Sequence, residues 1–171
     1  MKFKIFRYSQ GSKGVIYTLW KEGDELPELE NALLEYKEIR GERYFYELIA
    51  FIRGMCEKTG FRVERFRDEN LTWKDGIYAL RGTAEYRFYL YHNSSERIIL
   101  TGGGVKTTKL FQEDPKLLFV VNCLKSVSKL LWDHPELNLK LLSDSEIDLD
   151  FTWSGELSNI DEILEKITNG S

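Results

Sequence analysis

The chain has 171 residues, 42% of them hydrophobic and 30% charged, a composition that excludes wholesale disorder and fits a domain with its own core. No apolar run approaches the ~20 residues that span a bilayer, and Met1–Arg7 alternates charge and bulk in place of an apolar leader, which predicts a cytoplasmic protein without membrane partners. The net charge of −4 is uneven: residues 133–171 hold ten acids and two bases, so 1–132 hold 18 acids and 22 bases, a body near +4 beside a tail of −8.

Taken in order, residues 2–8 alternate as a strand, and Gly11-Ser12-Lys13-Gly14 marks a turn. Residues 15–20 suit a second strand or a short helix. Helical spacing covers 24–39, through Leu26, Leu29, Leu33 and Tyr36, and covers 42–59 more strongly, with Gly60 as its stop. Short strands follow at 61–66, 76–81, 85–92 and 97–100, separated by turn signals that include Asp68-Glu69-Asn70. Pro115 opens a helix to about Trp132, and Asp133-His134-Pro135 ends it. Beyond it, Leu137, Leu139 and Leu141, then Ile147, Leu149, Phe151 and Trp153, alternate like strands, and a last helix covers 161–168.

Cys56 and Cys123 lie in apolar helical runs and read as buried thiols. With no clustered histidines they form no zinc site, so neither metal nor cofactor is expected. Thr101-Gly102-Gly103-Gly104-Val105-Lys106-Thr107 lacks the glycine that a phosphate-binding P-loop needs directly before its lysine, which excludes a nucleoside triphosphatase. Asp148 and Asp150 read as a solvated strand face, and the tryptophans as packing residues, with Trp73 beside Lys74 offering a base-stacking alternative.

Arginine and lysine are the side chains that hold a phosphate and stabilise negative charge growing on it. Arg81 and Arg87, six positions apart on neighbouring strands, are candidates for that role, the alternative being solvent-face charges on a half-buried sheet. Tyr91 and His92 are candidates for proton transfer, with Glu85 as a further base. Lys106 and Lys109 follow a glycine-rich bend whose backbone N–H groups could approach phosphate.

The stretch 74–115 resembles the RelE/HigB family of toxin ribonucleases, above all its phage-derived HigB-like branch. The resemblance rests on Asp75-Gly76-Ile77-Tyr78-Ala79-Leu80-Arg81, on Glu85-Tyr86-Arg87-Phe88-Tyr89-Leu90-Tyr91, and on Arg97 through Lys106 with Lys109. It implies an α+β domain over 1–132, with N-terminal helices packed on a small antiparallel sheet and a closing helix. The acidic residues 133–171 have no counterpart in that family and are expected to form a strand and helix extension packed on the same domain. It further implies metal-free cleavage of mRNA, on the ribosome, through attack of the 2′-hydroxyl, under control of a helix-turn-helix antitoxin. In that scheme Arg81 and Arg87 bind the scissile phosphate, Tyr91 or His92 moves the proton, and Lys74, Lys106 and Lys109 hold the RNA. Where the family has an aromatic-Val-Lys-Lys step this chain has Gly104-Val105-Lys106-Thr107, one aromatic and one cation fewer. That departure supports the alternative of a catalytically inactive relative acting as a regulatory or protein-interaction module. The acidic tail is expected to dock near Arg81, Arg87 and Lys106 and to screen them from RNA.

Overall fold

The computed structural model describes residues 2–69, 72–143 and 146–150. The strongest alternation in the sequence, at its start, forms a hairpin: β1 (Lys2–Gln10) pairs antiparallel with β2 (Val15–Lys21). Residues 15–20 are therefore strand. Phe3 and Ile5 turn to one core and Lys2 and Lys4 to solvent, as a pleat with period two requires.

Next comes a helical hairpin. In α1 (Glu28–Arg40), Leu29, Ala32, Leu33 and Tyr36 form one buried stripe, with Glu28 and Glu30 in the first turn and Lys37 and Arg40 in the last, both favourable to the helix dipole. The chain reverses at Gly41, whose φ of +96° suits glycine. α2 (Glu42–Gly54) then buries Leu48 and Ile52 and ends in a π-helical turn, Met55–Thr59, that seats Met55 and Cys56 in the core.

The strands that follow are shorter than expected. Residues 61–66 give a 3-10 turn and then β3 (Phe66–Arg67), and β4 spans Ile77–Leu80. The expected strand 85–92 breaks at Phe88 into β5 (Tyr86–Arg87) and β6 (Tyr89–Ser94). β7 (Arg97–Leu100) returns beside β6, and β8 (Gly104–Val105) pairs with β5 in a separate two-stranded ribbon. α3 (Pro115–Asp133) is capped by the Asp114 carboxylate, which accepts from the N–H groups of Lys116 and Leu117, with proline at the first helical position. α4 (Pro135–Ser143) and β9 (Glu146–Asp150) complete the described chain.

The main sheet has the order β3-β4-β6-β7-β2-β1-β9 among the described residues. It is mixed, not antiparallel: β2 and β7 run parallel, pairing Ile16 with Ile98. The reason is the hairpin that precedes the helices. The crossover from β2 through α1 and α2 carries the chain to β3 at the far edge, and the antiparallel succession β3-β4-β6-β7 then returns it to β2, where β7 runs in the same direction as β2. Helices cover both faces, in an α+β arrangement. Leu29, Leu33, Leu48, Phe61, Phe88, Leu90 and Ile98 form the core under α1 and α2. Ile5, Tyr17, Ile77, Tyr89, Phe111, Leu117, Val121 and Leu124 form the other, under α3 and α4.

Residues 137–141 are helix, not strand. Leu137 and Leu141, four apart, are buried while Leu139 is exposed, and the Tyr17 hydroxyl donates to the Leu141 carbonyl at 2.9 Å. β9 pairs with β1 and sets Asp148 in register with Lys4 and Asp150 with Lys2. That places the acidic strand at the edge of the sheet opposite β3, away from its expected station. The expected helix 161–168, with Phe151 and Trp153, lies outside the described residues.

Candidate nucleic-acid interface

The expected phosphate site is a closed ion cluster. Arg87 is buried, and its Nε donates to Glu69 Oε1 at 2.6 Å while its Nη1 donates to the Ala84 carbonyl at 2.6 Å. Lys106 Nζ donates to Glu69 Oε2 at 2.9 Å, and Arg67 Nε stands 3.7 Å from Oε1. Glu69 itself is only 4% exposed. Its N–H donates to Thr72 Oγ1, and Thr72 Oγ1 in turn donates to Asp68 Oδ1, which also accepts the Trp73 N–H. A turn that the sequence marks as solvent-exposed thus delivers a carboxylate into the interior. The Tyr89 hydroxyl ends in the same electrostatic field. Burial first, then the charge of Glu69, raises its pKa, and Arg87 and Arg67 oppose the shift.

Arg81 does not join this cluster. It is exposed beyond β4, beside Gly82, and lines a shallow hollow with Tyr36, Tyr44 and Glu47 on the α1–α2 side. Lys109 is exposed in the loop before α3. The glycines before Lys106 serve close packing: a Cβ on Gly102 would lie 2.5 Å from the Ala32 Cβ, and one on Gly103 would lie 2.8 Å from the Arg87 carbonyl oxygen. They let α1 and β5 approach this segment.

The remaining three candidates do meet. Lys74, Tyr91 and His92 line an open cleft of about 610 Å³ between the 3-10 turn Thr72–Asp75, β6 and α3. Lys125, Lys129 and Trp132 complete it from α3, at positions i, i+4 and i+7 of one helical face. Trp132 is 82% exposed and Trp73, next to Lys74, is 52% exposed. The acid in the lining is Asp75, 3.7 Å from Lys125 Nζ, so the lysines of the lining exceed its acids by two, 3 − 1. Tyr91 is largely buried against Gly76, and His92 Nε2 donates to the Phe61 carbonyl at 2.8 Å, leaving Nδ1 as the lone-pair nitrogen of the neutral ring. Phe66 and Tyr78 flank that ring.

Chemically the two places differ. Arg87 and Lys106 are buried and aim donors at Glu69 and Ala84, whereas the cleft offers ammonium groups, the exposed indole of Trp132 and a histidine. Sequence reasoning missed Lys125 and Lys129 and assigned Trp132 to packing. The spacing Lys125-Lys129-Trp132, out of phase with Leu124, Val127 and Leu131, was the signal. Glu69 had no such signal, because its partners lie 18 and 37 residues away. No group of three or more His, Cys, Asp or Glu that could hold a metal occurs among the described residues, and no helix there is long and apolar enough to cross a membrane. Comparison with known proteins finds no matching family model, no similar curated protein and no similar solved structure.

Proposed function

We propose that this protein is a single-stranded RNA-binding regulatory module, related to the RelE/HigB fold, that does not cleave RNA through Arg81 and Arg87. The observation that supports it is Glu69, whose two oxygens occupy Arg87 at 2.6 Å and Lys106 at 2.9 Å. An arginine buried against a carboxylate must break that pair before it can hold a scissile phosphate. Arg81 lies elsewhere and brings no second guanidinium. The cleft supports the binding half of the reading: Lys74, Lys125 and Lys129 suit a phosphate backbone, and the exposed Trp132 suits a stacked base of any sequence.

The test incubates the protein with 5′-labelled single-stranded RNA and follows binding and integrity together. The expected result is salt-sensitive binding with intact RNA, and loss of binding in Lys125→Ala/Lys129→Ala. Cleavage by wild type that Arg87→Lys abolishes, with the fold retained, would overturn the reading.

A second reading keeps the ribonuclease, acting on mRNA on the ribosome and silenced by an antitoxin, because Lys74, Tyr91 and His92 share one cleft. There His92 would act as the base through Nδ1. RNA cleavage that His92→Ala removes and Arg87→Lys spares would select it.

A further inference from the structure

Glu69 is held as a bound ligand would be. Three cations from separate stretches of chain converge on it: Arg67 from β3, Arg87 from β5 and Lys106 just after β8. One carboxylate against three cations leaves a formal excess of +2, by 3 − 1. Excess charge of one sign in a poorly solvated place is costly until an opposite charge completes it. Two further acids, Asp68 and Asp114, are committed elsewhere, Asp68 to Thr72 Oγ1 and the Trp73 N–H and Asp114 to the N–H groups of Lys116 and Leu117 at 2.9 and 3.3 Å. The Tyr89 hydroxyl is fully buried beside these charges and has no hydrogen-bond partner among the described residues. Buried donors are almost always satisfied, so this hydroxyl has the capacity to donate to an added acceptor.

We propose that Arg67, Arg87, Lys106 and the Tyr89 hydroxyl form an oxyanion site in which Glu69 is the resident occupant and a dianionic phosphomonoester is the external ligand. A phosphomonoester carries about −1.5 to −2 at neutral pH and presents three strong acceptor oxygens. It therefore balances the cations better than a carboxylate and leaves an oxygen for Tyr89. A phosphodiester carries a single charge and is substituted on both sides. Solvent reaches the cluster on the side of Arg67, whose side chain is 47% exposed against 8% for Arg87 and 10% for Lys106. A terminal group can enter such a mouth and a continuous strand cannot. The site is independent of the lysine–tryptophan cleft.

Thermal unfolding of wild type, Glu69→Gln and Glu69→Ala is compared in inorganic phosphate, in dimethyl phosphate as the monoanionic diester, and in chloride at equal ionic strength. Both variants are expected to gain saturable stability in phosphate, roughly 3–6 °C at tenfold excess over the dissociation constant for a domain of this size, and little in dimethyl phosphate. Wild type, already occupied, responds only at much higher concentration. The gain disappears when Arg87→Met is added to Glu69→Gln. Folded variants that respond to phosphate no more than wild type overturn the proposal, as does an equal response to the diester. If neither variant folds in chloride, refolding by phosphate supports the site. Should they stay unfolded in both anions, wild type decides: the Arg87 Nε–H resonance shifts saturably with phosphate and not with dimethyl phosphate, and an unmoved resonance refutes the site.

Discussion

Arg87→Ala separates the two roles open to this residue. If Arg87 binds a scissile phosphate, truncation removes activity by about 100-fold and leaves the fold intact. The structure leads to the opposite outcome. Truncation deletes the 2.6 Å bond to Glu69 Oε1 and the bond to the Ala84 carbonyl, and leaves a carboxylate that is 4% exposed with one close partner in place of two. Breaking one member of a buried pair costs about 3–5 kcal/mol, and Lys106 at 2.9 Å on the other oxygen moderates that to the lower end. The expected loss is ~3 kcal/mol, or about 6–12 °C in midpoint for a chain of this length. Urea unfolding followed by far-UV circular dichroism measures it, with a double-mutant cycle against Glu69→Gln. The cycle is expected to show a coupling above ~1 kcal/mol between the two positions. A stable Arg87→Ala with no coupling to Glu69 would refute the reasoning and reopen the scissile-phosphate role for Arg87.

Lys125→Ala/Lys129→Ala is expected to weaken RNA binding and to lower the slope of log affinity against log salt by about 1.4, two contacts at ~0.7 each on a single strand; an unchanged slope in filter-binding titrations places the RNA elsewhere. Gly102→Ala drives a methyl group against Ala32, 2.5 Å from its Cβ, and is expected to cost about 1–3 kcal/mol in urea unfolding. Glu28 has a pKa raised by burial and by Asp24, against the lowering effects of Lys21 and Lys116. A carboxyl whose folded pKa exceeds its unfolded value binds more protons when folded, so stability falls as pH rises from the unfolded through the folded pKa. Glu28→Gln is therefore expected to raise the midpoint at pH 7 and to lose that advantage below the carboxylate range, which melting curves against pH read directly.

The strands, helices and both cysteine environments were legible wherever a local period or a cap dictates structure. Asp114-Pro115 opens α3 by capping chemistry alone, and Gly60 ends the turn that closes α2. Leu137, Leu139 and Leu141 misled because three leucines fit a period of two as well as part of a helical face; only burial of Leu137 and Leu141 against α3 chooses between them. The parallel pairing of β2 with β7 was hidden because nothing within either strand encodes its partner. The sites divide along the same line. Tyr91 and His92 are neighbours on β6, and Lys74 joins their cleft only because β4 pairs with β6. Lys125, Lys129 and Trp132 share a helical face whose spacing stands in the sequence, yet reading the helix for its apolar stripe alone misses them. Glu69 was not legible, because its carboxylate meets Arg87 and Lys106 only after the chain has crossed the sheet.

Charge alone does not separate a binding site from a structural cluster, but donor accounting does. A cation contributes to ligand affinity through N–H groups that the protein has not already satisfied, since exchanging one good partner for another yields little net free energy. Arg87 and Lys106 meet that criterion poorly while Glu69 is seated, since their closest donors are committed to it and their side chains are only 8% and 10% exposed. Lys74 and Lys129 meet it, having no ion-pair partner among the described residues, and Lys125 meets it in part, with Asp75 at 3.7 Å and 40% of its side chain exposed. The same accounting gives Trp132 its meaning. An indole left 82% in water gains little from the fold that displays it and gains area on contact with a flat base. Replacing Trp132 with alanine should therefore leave the unfolding midpoint within experimental error and weaken RNA binding by about 1–3 kcal/mol. A loss of stability with unchanged binding would make the tryptophan a packing residue and remove the aromatic half of the interface.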